Sequence, residues 1–258
     1  MQYAMVNGKA VEASPDLEGT CGYCKSPMIA KCGQFKMRHW AHKSKVSCDP
    51  WWESEKQWHR DWKSNFPIEW REYIIKNEDE KHIADTRTNQ GIVVEFQHSP
   101  LDPEDMKARE KFYGKMIWIV DGCRQDSNKL RFYKEHRYIT QTPLTIQFHW
   151  GGGVKMFDYW AQSTKTVYID FGDYYLWKLI SYERVQAIEG KRYLVQKGKA
   201  LAIAKNSLIK CLVDGNYEQD SAQLSDAKVV DTASQAQNVN NVPSQMQLNF
   251  GVAEKDKN

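Results

Sequence analysis

The stretch KHIADTRTNQGIVVEFQHS, residues 81–99, constrains the fold of this chain more than any other segment. Ile92, Val94 and Phe96 alternate with Val93, Glu95 and Gln97, the period of two of a half-buried strand. Asn89-Gln90-Gly91 makes a hairpin loop with glycine in the left-handed position, which pairs Thr88 with Ile92. Continuing that register sets Asp85 opposite Glu95 and Ile83 opposite Gln97. Like charges directly opposed across a ladder repel. Either one carboxyl holds a proton at a raised pKa, or a cation lies between the two. Close carboxylates with open positions suit a hard, oxygen-ligated ion such as magnesium.

The flanking segments build outward from this hairpin. WWESEKQWHRDWKSNF, residues 51–66, reads as a helix with Trp51, Glu55, Trp58, Trp62 and Phe66 on one face and His59 at its edge. Glu53, Lys56, Gln57, Arg60 and Asp61 point away, and Pro67 ends the helix. IEWREYII and KHIADTR then read as strands, followed by GIVVEFQ. DPEDMKAREKFYG opens on Asp-Pro, carries acids in its first turn and stops at glycine, which are helix start and stop signals. KMIWIVDG is a short apolar strand expected to be buried. The order is helix, three strands, helix, strand, and the expected class is mixed α/β. Glu55 on the tryptophan-rich face requires a partner. If that face packs on the sheet, a third carboxylate approaches Asp85 and Glu95.

Four segments are expected: 1–50, rich in cysteine; 51–135, the αβββαβ core; 136–215, a small β-rich extension with aromatic, β-branched runs such as KTVYIDF; and 216–258. The last is rich in Ser, Gln, Asn and Asp and nearly free of aromatics, a composition expected to stay disordered. It also carries six acids against three bases, which leaves the rest of the chain at +6. Residues 20–47 hold six bases and no acid, a solvated face or a surface for a phosphate backbone. No apolar run is long enough to span a membrane and no secretory signal is read, so a cytoplasmic location is expected. In a reducing compartment a cysteine cluster is more readily a metal site than a set of disulfides. Cys21-x2-Cys24 and His39-x2-His42, separated by 14 residues, are the expected zinc ligands, with Cys32 and Cys48 as rivals. The GGG at 151–153 reads as a connection, since no Lys-Ser/Thr pair follows it.

The pieces CGYC, HWAH, ESEKQWHRDWK, HIADTRTNQGIVVEFQHS and AREKFYGKMIWIV occur in unbroken order over residues 21–120. Together they resemble the CoiA-like competence-protein family, a branch of the PD-(D/E)xK nuclease superfamily. The resemblance implies a restriction-endonuclease-like core and a metal-dependent deoxyribonuclease that hydrolyses phosphodiester bonds of DNA, linked to DNA uptake, recombination or repair. On this resemblance Asp85 and Glu95 match the two core acids, and Glu55 the carboxylate that some branches supply from the first helix. These three would hold one or two Mg2+ or Mn2+ ions. The superfamily's lysine is replaced by Gln97, as in CoiA-like and several other branches. A neutral amide orients the attacking water, and the metal, by lowering that water's pKa, supplies the base. His59 and Lys63 are candidates for a proton transfer or a phosphate contact, and Arg109 for a phosphate contact.

HRD at 59–61 and DFG at 170–172 mimic kinase signatures, but Asn65 follows Asp61 by four positions where that pattern needs five, and no glycine-rich loop precedes them. In the tail, QMQLNF resembles the Gln-x-x-Leu-x-Phe peptide by which bacterial DNA enzymes bind the sliding clamp, with Gln245, Leu248 and Phe250 as anchors. The competing expectations are a catalytically inactive nucleic-acid-binding module on the same fold, kept open by Gln97, and a zinc-stabilised scaffold with no nucleic-acid role.

Overall fold

The computed structural model describes residues 1–44, 48–51, 53, 55–134, 136–141, 144–151, 155–186 and 194–220. The clamp-like peptide at Gln245, Leu248 and Phe250, the tail from residue 221, and most of the triple glycine lie outside the described residues. The protein is mixed α/β, with two sheets among the described residues. Among the described residues no helix is long and apolar enough to cross a membrane.

The smaller sheet holds β1 (Tyr3–Val6), β2 (Lys9–Glu12), β3 (Glu18–Thr20), β4 (Pro27–Lys31) and β5 (His39–His42), in the order β2-β1-β3-β4-β5. It packs its own core around Met28 and Trp40. The larger sheet begins with α1 (Gln57–Ser64), a 3-10 turn at Ile68–Trp70, β6 (Arg71–Lys76), β7 (Lys81–Arg87) and β8 (Val93–Gln97). It continues with α2 (Pro103–Tyr113), β9 (Met116–Asp121), α3 (Asp126–Lys134), β10 (His136–Gln141), β11 (Leu144–Gly151) and α4 (Lys155–Trp160). β12 (Thr166–Asp170), β13 (Tyr175–Gln186), β14 (Leu194–Ala204), α5 (Lys205–Asp214) and α6 (Tyr217–Asp220) complete the chain as described. The strand order is β10-β11-β14-β13-β12-β9-β8-β7-β6. The expected succession of helix, three strands, helix and strand is therefore present in α1 to β9.

Local chemistry accounts for these elements. The Asp102 carboxylate accepts the Glu104 N–H at the start of α2, Pro103 occupies the first turn, and Gly114 at φ +65° receives the chain as it leaves. α2 carries the chain across from β8 to the parallel strand β9, whose six residues are all buried. A parallel strand covered on both faces reads as a continuous apolar run, as MIWIVD does. One face of the sheet packs Trp118, Phe132, Phe148, Phe157 and Phe171; the other packs Trp62, Phe66, Phe96, Ile119 and Tyr168 under α1 and α5.

Three expectations change. The helix starts at Gln57 rather than at residue 51, so Trp51 and Glu55 are not on its face. The described residues before it, 48–51, 53, 55 and 56, form instead a strap held by tertiary bonds that a helix would forgo. Asp49 accepts the Ile83 N–H at 2.5 Å and pairs with His82 Nδ1 at 2.9 Å. Trp51 stacks on the His82 ring, centroids 3.3 Å apart, and its carbonyl accepts Arg109 Nη2 at 2.9 Å. Second, β12 pairs in parallel with β9, so the strands of 136–215 prolong the core sheet. Third, order extends past residue 216: Tyr217 is buried, its hydroxyl 3.1 Å from that of Tyr168.

Candidate active site and metal centre

The hairpin keeps the register read from its turn. Thr88 donates to the Ile92 carbonyl at 2.9 Å, and the ladder runs through Arg87–Val93 and Thr86–Val94. At Asp85 and Glu95 side chains replace it. The Asp85 N–H donates to Glu95 Oε1 at 3.1 Å, and the Phe96 N–H donates to Asp85 Oδ2 at 2.9 Å. On the other side of β7 the register is kept, Arg71 facing Thr86 and Tyr73 facing Ala84, but the position between them, Glu72 opposite Asp85, is not paired, and Glu72 has φ +45°. A positive φ at a residue other than glycine is strained, and it accompanies a carboxylate engaged by the Gln2 N–H at 2.8 Å and Lys63 Nζ at 3.2 Å.

Helix α1 brings the other groups. Trp58 and Trp62 both donate their indole N–H to Asp170 Oδ2, at 3.1 and 2.9 Å, which anchors α1 to the end of β12. His59 then meets Asp85, Nε2 to Oδ1 at 2.7 Å. Glu55, on the strap just before α1, pairs with Lys63 at very short range and with Arg60 Nε at 3.3 Å. Glu55, His59 and Asp85 each offer a ligand atom, all within 4.8 Å of one another. Glu95 lies alongside, its Oε2 3.4 Å from Arg109 Nη1. These groups line a cleft of about 40 Å³, room for an ion or a few waters.

The electrostatics separate the acids. Burial raises the Asp85 carboxyl, but His59 and Lys63 outweigh it and hold the group below the usual carboxylate range. Burial acts the same way on Glu55, and Lys63 likewise outweighs it. At Glu95 burial and then the Asp85 charge push the carboxyl up to about 8, against Arg109. Without a cation between them, two facing carboxyls thus divide into one ionised and one protonated group.

Two candidate phosphate contacts are revised, and the surroundings of Gln97 become plain. Lys63 is fully buried between Glu55 and Glu72, a counter-ion out of reach of a substrate phosphate, and its own pKa is raised by those carboxylates against the effect of burial. Arg109 is 6% exposed and occupied by Glu95, Glu53 and the Trp51 carbonyl. Gln97 Nε2 donates to Glu53 Oε1 at 3.0 Å and to the Ser99 carbonyl at 2.9 Å, so its own Oε1 is the atom left to meet a water. Glu53 and Glu72 carried no sequence signal. Helical spacing turned Glu53 outward, and Glu72 reads as an ordinary strand position until its carboxylate is seen to meet the Gln2 N–H and Lys63.

The second site lies in the N-terminal segment. Cys21, Cys24, His42 and Cys48 offer ligand atoms within 4.8 Å of one another. Cys24 Sγ lies 3.3 Å from His42 Nε2, and Cys21 Sγ lies 3.9 Å from Cys48 Sγ. His39 is not among them; its Nδ1 faces the Met37 carbonyl at 2.9 Å. The reason is strand alternation: His39 and His42 stand three residues apart on β5 and point to opposite faces, so only one can reach the cysteines. Cys48, brought back by the strap, takes the fourth place, while Cys32 stays outside. Burial raises the Cys24 thiol, but hydrogen bonds with Ser26, Cys21 and His42 bring it down to about 6, whereas burial and the neighbouring Cys21 push Cys48 up to about 12. Three thiols and one imidazole at this spacing can bind a metal such as zinc.

Residues 18–50 match the family model of the competence protein CoiA, N-terminal domain. The CoiA match spans all four residues of the Cys3His cluster and ends where the strap begins its course toward the acid cleft. The acid cleft itself lies outside the CoiA match. No curated protein and no solved structure matches the chain.

Proposed function

We propose that this chain is a CoiA-like, divalent-metal-dependent nuclease that hydrolyses DNA phosphodiester bonds on a PD-(D/E)xK-type core, in DNA uptake, recombination or repair. The observation that carries this reading is the convergence of Glu55, His59 and Asp85 within 4.8 Å, beside Glu95, where a hairpin gives up its ladder to accommodate two acids. The CoiA match of the N-terminal segment supports it independently. The oxygen-rich donor set of Glu55, Asp85 and Glu95 fits a hard cation such as Mg2+ or Mn2+. When bound, such an ion supplies Lewis acidity toward the phosphate and lowers the pKa of a water. The remaining work falls to the chain. Gln97, locked by Glu53 and Ser99, presents Oε1 as an acceptor that orients a water. His59, held by Asp85, can take or give a proton at its ring nitrogen. The Cys21, Cys24, His42 and Cys48 set would hold zinc in a closed, structural site, fixing the strap that carries Glu53 and Glu55.

A second reading, an inactive DNA-binding module, is favoured by one feature: each acid already has a protein partner, Glu55 with Lys63, Asp85 with the His59 ring and Glu95 with Arg109. Incubating the protein with plasmid and with single-stranded DNA, under Mg2+, Mn2+ or EDTA, separates the two. Metal-dependent cutting that is lost in the Asp85→Ala, Glu95→Ala double variant supports the enzyme. Binding without cutting under every metal supports the module and rejects the enzyme.

A further inference from the structure

A second, larger cavity adjoins the acid cleft at the ends of β8 and β9, between α3 and α4, with a volume of about 730 Å³. That is within the size range of cavities that take small organic groups. Gln97 lines both the cleft and this cavity. Its polar lining is unfinished. Asn128 is 5% exposed and its Oδ1 has no hydrogen-bond partner; the buried hydroxyl of Tyr159 has none either. Trp160 adds a largely buried ring beside them, packed at 5.2 Å on Trp118. Arg124 and Arg131 stand exposed in the lining, and among the described residues no ion pair engages them. The one acid in the lining, Asp121, is already paired with His98 at 2.7 Å. The free charge of the cavity is therefore positive, and the buried polar atoms without a partner in the chain are left to water or a ligand.

We propose that this cavity takes one unpaired nucleotide of the substrate strand, its phosphate on Arg124 and Arg131 and its base against Asn128, Tyr159 and Trp160. This rests on the nuclease reading and names its substrate class: single strands and frayed ends, in preference to blunt duplex. A base in a duplex is stacked on both faces and paired along its edge, so it enters a walled cavity only by leaving the stack. That exchange is least costly when the base is already unpaired. Ring stacking and arginine contacts are the usual means of holding such a base and its backbone.

The test uses the Asp85→Ala, Glu95→Ala chain, expected to bind without cutting, and fluorescence anisotropy against a single-stranded oligonucleotide and the same sequence as a blunt duplex. The single strand is expected to bind about tenfold more tightly. Asn128→Leu and Arg131→Ala are each expected to weaken single-strand binding by about tenfold and to lower the single-strand preference. Arg131 is exposed, so its truncation tests the idea even if Asn128→Leu fails to fold. Equal affinity for both DNAs, or a preference untouched by Arg131→Ala, overturns the proposal. Because binding is measured without catalysis, this outcome is distinct from a wild-type chain that never cuts, which overturns the nuclease reading instead.

Discussion

Titrating the protein in magnesium-free buffer that leaves zinc in place should show the Glu95 proton directly. Glu95 titrates near 4.5 as a free group and at about 8 in the folded chain. A group with a raised folded pKa contributes stability that is complete below its unfolded value and is lost as pH rises through the folded one. Wild-type stability should therefore fall between about pH 4.5 and pH 8, with a slope of at most about 1.4 kcal/mol per pH unit, and then level off. The ceiling on the whole effect is roughly 5 kcal/mol. Other groups titrate in the same window, so the quantity to measure is the difference in urea unfolding free energy between wild type and Glu95→Gln, which keeps the shape and removes the titration. That difference should move against the wild type as pH rises. At pH 8.5, magnesium at a hundred times its Kd should return about 2.7 kcal/mol to the wild type and much less to Glu95→Gln. A wild-type minus Glu95→Gln difference that is flat from pH 5 to 9 would refute the view that the two facing acids divide into one ionised and one protonated group.

Further outcomes follow from the same contacts. Cys48→Ser should lower bound zinc below one ion per chain, whereas His39→Ala should leave the zinc content unchanged; colorimetric zinc release reads both. Because Cys48 begins the strap that carries Glu53 and Glu55, Cys48→Ser should also reduce nuclease activity without altering the acid residues. Lys63→Met strands Glu55 and Glu72 without their shared cation and should cost about 3–5 kcal/mol in chemical denaturation, a larger loss than its distance from any substrate would suggest.

The elements that sequence made legible are those set by nearby residues. The Asn89-Gln90-Gly91 turn and the alternation of 92–97 predict the Thr88–Ile92 register, and the structure holds it. Asp102-Pro103 and Gly114 delimit α2 at the residues expected. The unbroken apolar run of β9 marks a strand buried on both faces. Turn chemistry, caps and periodicity act within a few residues, so a single segment contains the whole cause. The tertiary structure decided the rest. The fourth member of the cysteine-histidine cluster is Cys48 rather than His39, because β5 can present only one of its histidines to Cys21 and Cys24. Glu55 and Glu53 sit on a strap rather than a helix, and Asp49 and Trp51 of that strap bond to β7 and α2. Glu72, unpaired opposite Asp85 at positive φ, meets Lys63 from α1, which also holds Glu55. Each of these turns on which distant group a buried charge or thiol can reach, and only the folded path of the chain brings those groups within a few ångströms of one another.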